Sequence, residues 1–111
     1  MRILVCGSRG FADYKKLSKE LATYQITHLI SGGAKGADGL AERWANENKI
    51  PKTILNAEWE KYGKRAGYVR NVAMLNESPD IIVAFWDGQS RGTKMMIDLA
   101  IRAQKRVHVI K

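Results

Sequence analysis

Five short apolar runs punctuate the chain, at Arg2 to Cys6, His28 to Ile30, Thr53 to Asn56, Ile81 to Trp86 and Arg106 to Ile110. Within most of them apolar side chains follow one another instead of alternating with polar ones, the pattern of strands covered on both faces. Between the runs, apolar positions recur at three- and four-residue spacing: Leu17, Leu21 and Tyr24; Leu40, Ala41, Trp44 and Ala45; Val69, Val72, Ala73 and Met74; Met96, Ile97, Ala100 and Ile101. That is the period of a helix with one buried stripe. Strand and helix in strict alternation predict an α/β fold, a five-stranded parallel sheet with helices on both faces. Pro51 and Pro79 fall between a helix and the next strand, where a missing amide costs nothing. The longest stretch without either period is NAEWEKYGKRAG, residues 56–67, and an excursion of that length in a small domain is usually functional.

Length and composition narrow this further. A chain of 111 residues predicts one domain over residues 1–111. The longest apolar run, Ile81 to Trp86, is far short of the roughly 20 residues that cross a bilayer, so no membrane partner is expected. The apolar stretch after Met1 is too short for a secretory leader, and a single cysteine, Cys6, allows no internal disulfide. Both point to the cytoplasm, with Cys6 as inert core. The formal charge of +8, from 19 Lys and Arg against 11 acids, favours polyanions or phosphate-bearing small molecules as partners. Lys15, Lys16 and Lys19 account for part of it as a solvated helix face.

Distribution says more than the sum. In an open α/β sheet, ligands bind beyond the carboxyl ends of the strands. The first two strands are followed there by GSRGF and SGGAKGAD, the third by EWEKYGKRAGYVRN, and the fourth by WDGQSRGT. Each segment joins glycine to Arg or Lys, and Arg9, Lys35, Lys61, Lys64, Arg65, Arg70, Arg91 and Lys94 are expected to converge on one rim.

In the second segment Gly32, Gly33 and Gly36 permit positive φ and close backbone approach, and a helix beginning near Ala37 turns its positive end to the same space. A phosphate fits there, with Lys35 to neutralise it. Asp38, in the first helical turn, serves either as a cap or as acceptor for a sugar hydroxyl. Ser8, Ser90 and Thr93 offer hydroxyls to phosphate oxygens, Arg9 and Arg91 charge-assisted bonds. Arg70 is expected to face the pocket while Asn71 holds a neighbouring loop, both near the start of a helix. Trp59, Tyr62, Tyr68 and Trp86 lie in or beside the loops and either stack on a base or pack beneath the loop, whereas Trp44 belongs to the core. Neither G-x-x-x-x-G-K-[ST] nor G-x-G-x-x-G is present, which disfavours a P-loop NTPase or an NAD dehydrogenase; no cofactor is expected. His28 and His108 sit in strands without neighbouring ligands, so no metal site is expected. The carboxylates near the rim, Asp38, Glu42, Glu58, Glu60 and Asp87, include candidates for promoting cleavage of an N-glycosidic bond, Asp38, Glu42 and Glu58; nothing in their spacing requires that role.

GSRGF, SGGAKGADGLAERWA, the W-x-x-Y-G-x-x-A-G run from Trp59 to Gly67, RNVAML and AFWDGQSRGT together resemble, in order and over nearly the whole chain, the YspA-like family of the SLOG superfamily. The resemblance implies a single Rossmann-like domain and a pocket made by Gly7, Ser8 and Arg9; by Ser31, Gly32, Gly33, Ala34, Lys35, Gly36 and Asp38; by Arg70 and Asn71; and by Trp86, Asp87, Ser90, Arg91, Gly92 and Thr93. It implies a nucleotide or nucleotide-derived signal as the partner, sensed or sequestered. The superfamily also contains the LOG phosphoribohydrolases and the DNA-processing protein DprA, so hydrolysis of a nucleoside monophosphate and binding of single-stranded DNA are the alternatives. SGGAKGAD resembles the S-G-x-A-x-G-x-D loop of DprA, and Arg70 and Asn71 fall where that family has its own Arg-Asn. The LOG pattern P-G-G-x-G-T-x-x-E is not matched: Ser31 replaces the proline, a residue is inserted between Gly33 and Gly36, and Ala37 stands at the threonine. Relatives that dimerise imply a homo-oligomer, with Met95 and Met96 as candidate interface residues.

Overall fold

A computed structural model describes residues 1–111. Strand β1 (Arg2–Gly7) is followed by helix α1 (Tyr14–Leu21), β2 (His28–Ser31), α2 (Ala37–Glu47), β3 (Lys52–Ile54), the short helix α3 (Trp59–Tyr62) with a 3₁₀ turn (Gly63–Arg65), α4 (Ala66–Leu75), β4 (Ile81–Phe85), α5 (Arg91–Arg102) and β5 (Arg106–Ile110). The five strands form one sheet in the order β3-β2-β1-β4-β5, and every pair is parallel. The fold is the expected α/β architecture, a Rossmann-like parallel sheet.

Continuous apolarity in β1 and β4 has a direct cause: each strand is buried on both faces. Ile3 and Val5, with Ile81, Val83 and Phe85, pack against Leu17 and Leu21 of α1 and Ala41, Trp44 and Ala45 of α2. Leu4, Cys6, Ile82 and Ala84 point the other way, against Met74 of α4 and Met96, Ile97 and Ala100 of α5. The edge strand β5 has only half-buried and exposed residues, and Arg106 and His108 are tolerated there. Burying side chains of Leu or Ile size contributes roughly 1.5–3 kcal/mol each, so these two layers hold the sheet. Cys6 lies in the second layer with its thiol pKa pushed well above the ordinary range by burial. Lys15, Lys16 and Lys19 are exposed. No helix is long and apolar enough to cross a membrane.

The chain leaves β1 to one side for β2 and β3, then returns across the sheet to β4 on the other side of β1. The carboxyl ends of β1 and β4 are therefore the point where strand order reverses, and loops diverge to leave a crevice. Its seam is narrow. The Ser8 carbonyl accepts N–H bonds from Phe11 at 3.1 Å and Ala37 at 3.3 Å. A Cβ on Gly7 would meet the Phe85 carbonyl oxygen at 2.5 Å and the Ala37 methyl at 2.6 Å. Glycine at 7 is thus what lets α2 start flush against β1.

Four features differ from the sequence pattern. Helix α1 stops at Leu21; Tyr24 follows in a turn and packs on the same core from there, its hydroxyl donating to Glu20 at 3.1 Å. Strand β3 is only Lys52–Ile54, because it pairs with β2 over three residues. Residues 56–67 contain α3 and the 3₁₀ turn, neither of which buries any residue, so no apolar stripe announces them. Helix α4 starts at Ala66, which places Arg70 and Asn71 in mid-helix.

Candidate functional site

The loop after β1 is built on Ser8, which is buried and whose Oγ accepts the Asp87 N–H at 3.0 Å, joining it to the loop after β4. Asp87 folds that second loop: its Oδ1 accepts the Gln89 and Ser90 N–H groups, both at 2.8 Å. Those amides hold its carboxyl below the usual carboxylate range. The Trp86 indole N–H donates to the Ser90 carbonyl at 3.0 Å, and Ser90 and Thr93 share a hydroxyl contact of 3.2 Å at the start of α5.

Between β2 and α2, Gly33 and Gly36 have φ of 70° and 78°. Gly32 matters for another reason: a Cβ there would lie 2.5 Å from Arg70 Nη1 and 2.9 Å from Asp38 Oδ2. The absence of a side chain lets a guanidinium and a carboxylate lie over the loop. Arg70 reaches back from α4 and donates from Nη1 to the Gly32 carbonyl at 2.9 Å and from Nε to Asn71 Oδ1 at 3.2 Å. Asn71, buried, donates to the Gly92 carbonyl at 3.4 Å. The Arg-Asn pair therefore ties two loops to one helix.

Asp38 is 6% exposed. Its Oδ2 accepts the Ala34 N–H at 3.2 Å and its Oδ1 has no partner. Burial pushes its pKa above the ordinary 3.8, against the opposing pull of the Ala34 amide and of Arg70. Ionising Asp38 thus works against folding: the cost is absent below the unfolded value, grows as pH rises toward the folded value, and is constant above it. Asparagine keeps the acceptor for Ala34. Asp38→Asn is expected to gain stability relative to the wild type between about pH 3 and pH 7, as read from urea denaturation at both pH values; a difference independent of pH would contradict this.

These loops enclose a cavity of about 870 Å³, floored by Cys6 and Gly7 and lined by Arg9, Asp38, Trp59, Lys64, Arg65, Tyr68, Arg70, Asn71, Asp87, Ser90 and Thr93 among others. A second cavity of about 340 Å³ shares Arg9, Ala34, Trp59 and Arg70 with the first and adds Gly32, Gly33, Lys35, Asn56 and Ala57. The two differ in charge. The smaller has three cations, Arg9, Lys35 and Arg70, and no acid. The larger sets Asp38 and Asp87 beside its cations and includes Trp59, Tyr68 and three methionines. The smaller, with three cations and no acid, suits a phosphate; the larger suits a part of a ligand with apolar faces and hydrogen-bond donors.

Of the residues singled out from sequence, Gly7, Arg9, Ala34, Asp38, Arg70, Asn71, Asp87, Ser90, Gly92 and Thr93 line the larger cavity, and Gly32, Gly33 and Lys35 the smaller. Ser8, Ser31 and Gly36 line neither cavity; Ser31 is fully buried and its Oγ has no partner. Trp86 lines neither cavity: it packs on the second core layer. The convergence of cations is narrower than expected. Arg91 and Lys94 line a separate hollow of about 300 Å³ with Tyr68, Met95, Asp98, Leu99 and Arg102, and Lys94 pairs with Asp98 at 2.8 Å. Lys61 faces Glu58 at 4.0 Å, outside both cavities. Glu42 also lines neither; it lies a full turn, about 6 Å, along α2 from Asp38. Met96 is 1% exposed and is core, not interface. Asn56 and Ala57, which open the non-periodic stretch just past the end of β3, line the smaller cavity although neither stood out individually in the sequence.

The chain matches the YspA, cpYpsA-related SLOG family over residues 1–62, the part that carries the first two loops and Trp59. It is 37% identical over 105 residues to the Gene 61 protein of Mycobacterium phage D29, across 84% of this chain and 82% of the phage protein.

Proposed function

From the premise that the chain belongs to the YspA, cpYpsA-related SLOG family, a group of nucleotide-related Rossmann-like domains, we propose that it binds a phosphate-bearing nucleotide or nucleotide derivative at the carboxyl ends of its parallel strands and acts by sensing or sequestering it. One observation carries this reading: two contiguous cavities, the smaller lined by three cations without an acid, the larger mixing aromatic and sulfur-bearing side chains with two carboxylates. A nucleotide has that same division, an anionic end and a planar base with a hydroxyl-bearing sugar between them. Arg9 and Arg70, which belong to both cavities, would bracket the junction, and charge-assisted bonds from guanidinium to phosphate contribute about 1.5–3 kcal/mol each.

The test is thermal denaturation with a panel of nucleoside mono-, di- and triphosphates, cyclic nucleotides and ADP-ribose-type compounds. A ligand at 100 times its Kd stabilises by about 2.7 kcal/mol, which in a protein of this size raises the melting temperature by roughly 10 °C. No response across the panel removes the reading. Binding of single-stranded DNA instead would reveal itself through an affinity falling steeply with salt, by about 0.7 in log–log slope per phosphate contacted.

A hydrolytic reading draws on Asp38 alone, a buried carboxyl with raised pKa at the wall of the larger cavity. Such a group suits a general acid that protonates a departing base. Incubation with nucleoside monophosphates and chromatography for free base decides it; intact substrate leaves binding as the function.

A further inference from the structure

Trp59 and Tyr68 are left 54% and 46% exposed. Large aromatic surface kept in water gains nothing for the fold, and α3, which carries Trp59, buries no residue at all. The position of the indole is nonetheless defined. It lines both cavities and so stands at their junction, and its Cη2 lies 3.8 Å from where a Cβ would project from Gly67. Part of the ring rests on the first turn of α4 and the remainder is open. Tyr68, the next residue along α4, lines the larger cavity. Neither ring is paired with another; the aromatic pair of this protein is Phe11 with Phe85, in the core. The other exposed tyrosine of the stretch, Tyr62, lies outside the cavities with the Lys61 ammonium 5.1 Å from its ring centre. Trp44 is core at 6% exposure and Trp86 is held by its bond to Ser90.

Resting on the nucleotide reading, the geometry points to Trp59 as the residue on which the ligand's heteroaromatic base stacks, with Tyr68 as a second contact in the larger cavity and the phosphate directed toward Arg9, Lys35 and Arg70. The indole's place at the junction sets the distance between base and phosphate: the base lies against the ring in the larger cavity, and the anion occupies the smaller, acid-free one. Stacking on an aromatic side chain accepts any planar base, so the aromatic wall recognises that a base is present without selecting which one, and the carboxylates of Asp38 and Asp87 are left to choose among hydrogen-bond donors.

The test compares adenosine monophosphate with ribose 5-phosphate, which has the same anion and no base, by calorimetry. Trp59→Ala is expected to weaken the nucleotide about 10-fold or more and to leave ribose 5-phosphate unchanged, while Trp59→Phe retains most of the affinity. Trp59 is the most exposed of the three tryptophans, so the nucleotide should quench the fluorescence of the wild type, and Trp59→Phe should bind without that quench. Equal weakening of both ligands in Trp59→Ala would mean that the ring only supports the loop, and no weakening of either would mean that it touches neither; both overturn the assignment. If ribose 5-phosphate binds and the base adds nothing, the stacking assignment fails while the phosphate reading stands. If neither ligand binds, the stacking assignment falls, and the nucleotide reading falls with it when the rest of the panel also gives no response.

Discussion

Replacing Gly36 with alanine is expected to destabilise the protein by about 3 kcal/mol or more. Two costs add. The backbone at Gly36 has φ 78° and ψ −128°, a conformation open essentially to glycine alone, for which another residue loses roughly 1–3 kcal/mol. The added Cβ also meets the carbonyl oxygens of Ser8 and Arg9, the latter at 2.5 Å. Both are backbone atoms in the seam between β1 and α2, and neither can swing aside as a side chain would. The melting temperature should drop by roughly 10 °C or more. Gly10 provides the control, since a Cβ there meets nothing within 4 Å and Gly10→Ala should stay within about 0.5 kcal/mol of the wild type. Equal melting temperatures for the two variants would show that the seam is not as close as described.

Arg70→Ala is expected to have the largest effect on ligand binding, a loss of about 10- to 100-fold in affinity for a phosphate-bearing ligand, corresponding to the 1.5–3 kcal/mol of a charged hydrogen bond. Arg70 belongs to both cavities, and its bonds to the Gly32 carbonyl and to Asn71 hold the guanidinium at their junction before any ligand arrives. That preorganisation is why lysine is expected to restore little: an ammonium lacks the planar fork that bonds two acceptors while still facing a third. Titration calorimetry of the wild type, Arg70→Ala and Arg70→Lys measures this. Full affinity in Arg70→Lys would reduce the role of Arg70 to that of a point charge. Removing the guanidinium should also raise the Asp38 pKa further, because Arg70 is among the groups that lower it.

Much of the architecture was legible because the forces that build it act along single elements. Apolar residues on both faces of Ile81 to Phe85 follow from two-sided burial, and the two-sided sheet could be read from that run. The loops with glycine and cations after β1 and β2 were legible for a similar reason, since Gly7, Gly33 and Gly36 occupy positions that a side chain would fill or strain. The short helix α3 was not, because a helix exposed on every side leaves no stripe. Arg91 lies away from the two cavities for a helical reason. In α5 the buried face is Thr93, Met96, Ile97 and Ala100, and Arg91, Lys94, Asp98 and Arg102 follow helical spacing down another face. Adjacency in GQSRGT put Arg91 with Thr93; the 3.6-residue turn separates them.

By itself the sequence determined the α/β class, the number of strands, most of the helices, and which loops hold glycine and positive charge, since each depends on neighbours within one element or one turn. Only the tertiary structure decided that the sheet runs β3-β2-β1-β4-β5, that Arg70 crosses from α4 to Gly32, and that Trp59 lines both a cavity with cations and no acid and one with charges of both signs. The reason is distance along the chain. Thirty-eight residues separate Gly32 from Arg70, and no local periodicity reports which loops a crossover connection will bring to the same edge of a sheet.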